Sequence, residues 1–214
     1  MAAVTLCNEI CKTEPEKVRK FKKHTGALIK TLKSLLMSGY APEYEIGGVK
    51  DPFLQVKILE LLGRIGQNNS EASDEMSDVL AQIATNTDNS KNPGNSVLAE
   101  CVRTIMSIEA SSGLRVLGIN ILGKFLQNKE NNVRYVALQQ LIKVVDIDYK
   151  AVTRHQQTVL ECLKDHDLVI KKQALDLLYK ITNQNNVKSV VKELISYLLV
   201  AEPEFKKELS NKIC

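Results

Sequence analysis

The sequence predicts an all-α fold, a right-handed superhelical solenoid of stacked helix pairs, and three observations predict it. One stretch is written twice: LQNKENNVRYVALQQLIKV from Leu126 aligns with LKDHDLVIKKQALDLLYKI from Leu163 at a constant offset of 37 residues. The same apolar slot recurs upstream, so that Leu59, Leu98, Leu138 and Leu175 follow one another at intervals of 37 to 40 residues. Each unit carries a polar turn and then apolar residues at i, i+1, i+4 and i+7, which is a helical period, while alternating runs and Asn-Gly hairpins are missing. A pair of this kind has more apolar side than it can cover alone, so it must lean on its neighbours.

The elements follow in order. Residues 2–12 are amphipathic and read as the end of a helix. Thr13-Glu14-Pro15-Glu16 reads as a helix start, with Thr13 as the cap, Pro15 in the first turn and acids facing the positive end of the helix dipole. Two short helices are expected over 15–23 and 25–37, the second with Leu28, Ile29, Leu32, Leu35 and Leu36 on one face. Residues 38–50, with three glycines and a proline, read as a loop of the length that serves either function or simple insertion. Asp51-Pro52 opens the first full repeat, whose helices are expected over 52–66 and 70–85. Three more pairs follow over 95–109 and 112–127, 131–146 and 150–164, and 168–183 and 186–201; Pro203 starts a further helix. Units of this length are of the HEAT or armadillo type. The domain reading is one solenoid over 1–214, with basic leading helices over 1–37 and four helix pairs over 51–201.

Composition places the chain among ordinary globular proteins, at 44% hydrophobic and 25% charged residues. Neither an apolar run of about 18 residues nor a signal-peptide layout occurs, and a cytoplasmic location is expected. Five cysteines, at positions 7, 11, 101, 162 and 214, make no paired framework and suit a reducing compartment. Both ends break off without a polar capping repeat, so the chain reads as a piece of a longer solenoid.

No phosphate-cradling loop, dinucleotide fingerprint or His-Glu-x-x-His occurs, so the sequence supports neither catalysis nor a cofactor. His24, His155 and His166 stand in polar surroundings and are expected to be solvated. Cys7 and Cys11 share a helical face, but no third ligand is near, so they are read as buried apolar residues and not as metal ligands. Lys17, Arg19, Lys20, Lys22 and Lys23, followed by Lys30 and Lys33, concentrate more than the whole net charge of +4 in the first 37 residues. The patch is either a solvated helix face or a seat for an anionic membrane or an acidic partner. Nucleic acid is not expected, because no Trp occurs and no aromatics interleave the basic run. Arg134 and Lys171 share one slot after the turns at Asn128 and Asp165, and are read as a ladder of hydrogen bonds between adjacent repeats.

From about Leu36 onward the segments LLMSGYAPEYEIGGVKDPFLQVKILELLGRIGQNN, DVLAQIATNTDNSKNPGNSVLAECVRTIMSI, SGLRVLGINILGKFLQNKENNVRYVAL and HQQTVLECLKDHDLVIKKQAL resemble the trunk of a clathrin-adaptor large subunit. Within these adaptins the text is most similar to the gamma type of the Golgi and endosomal adaptor, with Phe53 where alpha and epsilon relatives tend to carry Trp. The resemblance implies a non-enzymatic scaffold for vesicle-mediated transport between trans-Golgi network and endosomes. It also implies beta, medium and small sigma-type subunits as partners, recruitment by an Arf-family GTPase, and peripheral membrane association on clathrin-coated vesicles. Clathrin itself would be reached only through a hinge and appendage lying outside this stretch. The same repeats without that text would suit another HEAT scaffold, of phosphatase or nuclear-transport type.

Overall fold

The structure, a computed structural model, describes residues 1–37 and 42–213. It divides into two compact units, Met1–Ile121 and Leu122–Cys214. The first opens with α1 (Ala2–Thr13), α2 (Val18–Phe21) and α3 (Thr25–Met37), then a short hairpin of β1 (Glu45–Ile46) and β2 (Val49–Lys50). It continues with α4 (Pro52–Gly66), α5 (Ser70–Asn86), α6 (Asn92–Ser107) and α7 (Ser112–Phe125), the last of which runs past its border.

Start signals hold where an apolar stripe follows them. Asp51 caps α4, its carboxylate accepting from Leu54 N–H at 3.1 Å, and Pro52 takes the first turn, where no N–H is needed. From there Ile58, Leu59, Leu61, Leu62 and Ile65 turn inward against Met76, Val79, Leu80 and Ile83 of α5 and Val97, Cys101 and Ile105 of α6. Ile29 and Leu32 bring α3 onto the same core. α6 begins at Asn92, three residues before the expected start, because Pro93 serves its first turn as Pro52 serves α4.

Where the stripe is thin the expectation fails. The helix expected over 15–23 is broken into a 3-10 turn (Pro15–Lys17), four residues of α2 and a second 3-10 turn (Lys22–His24). Only Val18 and Phe21 pack on the core there, and the cations at i, i+3 and i+4 repel one another along a regular helix. Thr13 is not a cap; it ends α1 with its hydroxyl donated back to the Glu9 carbonyl at 2.9 Å.

A second correction concerns strands. Residues 45–50 form an antiparallel hairpin, Glu45 opposite Lys50 and Ile46 opposite Val49. Gly47 and Gly48 turn it at φ of 60° and 89°, the two positive values that a two-residue turn of this hand requires. Residues 38–41 of the expected loop lie outside the described residues.

The second unit holds α8 (Asn131–Val144), α9 (Tyr149–Thr153), α10 (Gln156–Cys162), α11 (Leu168–Ile181), α12 (Val187–Val200) and α13 (Pro203–Ile213). Leu138, Leu141 and Val144 face Ala174, Leu175, Leu178 and Ile181, all buried, and Phe205 and Leu209 of α13 are buried beyond them. Polar ties lock the corners: Tyr149 O–H donates to the Ile181 carbonyl at 2.6 Å, and the Asn186 amide donates to Gln156 Oε1 at 2.8 Å. The single helix expected over 150–164 is split in two at Arg154 and His155, where His155 adopts φ −92° and ψ 9°. Its ring lies against Gly123, so closely that a Cβ there would collide with it. The sequence therefore misplaced His155, which is half-buried, while His24 and His166 are exposed.

Candidate functional site

The candidate surface is the basic face on α2, its flanking turns and α3. Because this stretch buries little besides Val18 and Phe21, Arg19, Lys20 and Lys23 point into solvent, as does Lys30 on α3, while Lys33 is half-buried. Two of the seven cations are already spent on acids. Lys17 pairs with Glu14 at 2.6 Å, and Lys22 reaches Glu71 at the start of α5 at 2.8 Å. That ammonium holds the Glu71 carboxyl below the usual carboxylate range, through its hydrogen bond first and its charge second. Arg19, Lys20, Lys23, Lys30 and Lys33 make no ion pair among the described residues, which concentrates the uncompensated charge on one short stretch.

The repeat slot at Arg134 and Lys171 has a definite geometry. Arg134 donates to the carbonyls of Asn128 and Lys129 at 2.7 and 2.9 Å and to Asn131 Oδ1 at 2.7 Å, and pairs with Asp165 at 2.8 Å. Lys171, one repeat later, reaches Glu202 at 3.4 Å. Each cation thus meets an acid 31 residues ahead, in the turn that opens the next first-layer helix. Leu59, Leu98, Leu138 and Leu175 are all buried.

Thiol and carboxyl chemistry is muted. Burial raises the Cys11 thiol, with Cys7 adding to it, and burial also raises Cys101; Cys162 is pushed up to about 11 by burial and then by Asp165. A buried thiol held protonated is a packing group, not a nucleophile. Burial lifts the Glu100 carboxyl despite Arg103 beside it. Burial pushes Glu60 the same way, but hydrogen bonds from Lys57 and Arg64 outweigh it and leave that carboxyl lowered. Among the described residues no three His, Cys, Asp or Glu side chains gather as metal ligands, and no helix is long and apolar enough to cross a membrane.

Residues 1–214, the whole chain, match the family described as Adaptin N terminal region. The chain belongs to the adaptin family. This adaptin chain is 54% identical over its full length to the AP-1 complex subunit gamma of Dictyostelium discoideum and 53% identical to AP-1 complex subunit gamma-2 of Arabidopsis thaliana. It spans about a quarter of the length of those relatives, 24% and 25%. Its fold is shared with a chain in a homology model of the full-length AP-3 complex in an intermediate open conformation, at a TM-score of 0.69 and 19% identity, covering 94% of this chain and 32% of that one.

Proposed function

We propose that this chain is a trunk segment of a gamma-type clathrin-adaptor large subunit, which carries cargo traffic between trans-Golgi network and endosomes by holding partners on a stiff helical surface. The observation that carries the reading is the match of the entire chain to gamma subunits of AP-1 complexes in organisms as distant as Dictyostelium and Arabidopsis. The partners are the sigma-type, medium and beta subunits and a GTP-bound Arf-family GTPase. The test is co-precipitation of the 214-residue chain with a sigma-type subunit and with Arf loaded with GTP or GDP. Retention of sigma, and of Arf only in its GTP form, supports the reading; retention of neither refutes it.

The basic face supports peripheral membrane contact. Arg19, Lys20, Lys23 and Lys30 are exposed and unpaired, and each cation close to an anionic leaflet contributes about 1 kcal/mol. Co-sedimentation with vesicles containing phosphatidylserine tests it. Binding that survives reversal of Lys20 and Lys23 to Glu would remove this face from the membrane contact.

A further inference from the structure

The first four helices of the first unit border an open pocket of about 290 Å³. Leu61 of α4, 2% exposed, lies at its base, and the half-buried Val4, Phe21 and Leu28 form its walls. Little in this lining can answer a polar ligand. The Thr31 hydroxyl already donates to the Ala27 carbonyl at 2.9 Å, the Cys7 thiol is a weak donor, and His24 stands exposed to solvent. Cations rim the pocket. Ala27, Lys30 and Thr31 stand at i, i+3 and i+4 of α3 and share one face, which sets Lys30 beside two lining residues. Lys20 and Lys23 adjoin in sequence the lining residues Phe21 and His24. All three lysines are exposed and make no ion pair among the described residues.

We infer that this pocket takes a single-chain anionic lipid of the fatty-acid class, with its alkyl chain on Leu61, Val4, Phe21 and Leu28 and its carboxylate among Lys20, Lys23 and Lys30. The lining selects an alkyl chain. A polypeptide backbone entering here would leave its N–H and C=O groups without partners and forfeit their hydration, whereas a methylene chain has none to lose. The volume selects one chain: at about 30 Å³ for each water-sized group, 290 Å³ holds about ten of them. The rim selects the charge, because uncompensated ammonium groups at the edge of an apolar pocket attract an anionic head. The site shares its lysines with the membrane contact proposed above but does not rest on it, since a soluble lipid needs no bilayer.

Sodium hexanoate, octanoate and decanoate, kept monomeric, serve as probes, titrated into the isotope-labelled 214-residue chain and followed by NMR. Saturable shifts are expected in the methyls of Val4, Ala27, Leu28 and Leu61, with a millimolar Kd for octanoate and affinity rising about tenfold for each two methylenes added. Lys20→Glu, Lys23→Glu and Lys30→Glu together weaken decanoate binding at least about tenfold. Ala27→Phe, which fills the pocket from an exposed position, abolishes it while leaving the basic face in place. Both variants are checked for folding by their melting curves, and the chain-length series on the wild type needs neither. Absence of saturable shifts up to about 10 mM overturns the proposal, as does an affinity that does not vary with chain length, the result expected if the carboxylate alone adsorbs on the lysines. Binding undiminished by Ala27→Phe or by the triple reversal overturns it as well. Vesicle sedimentation of the wild type and of Ala27→Phe is read separately, so failure here and failure of the membrane contact are told apart.

Discussion

Removing Arg134 should cost the second unit more than any other single change outside its apolar core. In Arg134→Ala the carbonyls of Asn128 and Lys129 lose their donor and Asp165 loses its counter-charge, on side chains 15% and 11% exposed. Breaking a buried pair from one side costs about 3–5 kcal/mol. Asp165 keeps the Asp167 amide at 2.9 Å and both partners retain a little solvent, so about 3 kcal/mol is expected. That is a fall in melting temperature of about 6–12 °C at 2–4 °C per kcal/mol. The chain has no Trp, so the assay is urea denaturation followed by far-UV circular dichroism. A double-mutant cycle with Asp165→Ala isolates the pair, with an expected coupling of at least about 1 kcal/mol. A coupling below about 0.3 kcal/mol, the level of an exposed helical pair, would refute the view that this contact joins one repeat to the next.

Protonation of His155 should weaken the fold. Burial, helped by Arg154, lowers its pKa below that of the unfolded chain, so the unfolded state takes up a proton first and stability falls as pH drops through about 6.5. Wild-type chain should lose more stability between pH 7.5 and 5.5 than His155→Phe, and equal losses in the two would contradict this. Gly123→Ala should drive the His155 ring from its seat and cost about 1–3 kcal/mol, with the His155 NMR titration moving up toward the ordinary range; an unmoved titration would show that the ring does not pack there. On the basic face, Lys20→Glu with Lys23→Glu should weaken vesicle binding far more than Lys17→Glu with Lys22→Glu, since the latter pair is already neutralised by Glu14 and Glu71. Equal effects in a sedimentation assay would argue against it.

The stacked helix pairs were legible because burial repeats with chain position: Leu59, Leu98, Leu138 and Leu175 mark one slot, and every one is buried. Asp51-Pro52 was legible because a cap acts within three residues. The failures have two physical sources. Two-residue strands are too short to show alternation, although Gly47-Gly48 between Glu45-Ile46 and Val49-Lys50 is a hairpin signal in its own right. The other misses are long-range. Nothing near Lys22 announces Glu71, 49 residues away, and nothing beside His155 announces Gly123, so the paired lysine and the half-buried histidine both read as solvated.

The scaffold reading is tested most directly by mixing the purified chain with a recombinant sigma-type subunit and measuring mass by light scattering coupled to gel filtration. A one-to-one complex, protected from hydrogen exchange along the helices of this chain, is the predicted result. Separate elution of the two proteins at micromolar concentrations, with exchange unchanged in every helix, would contradict it.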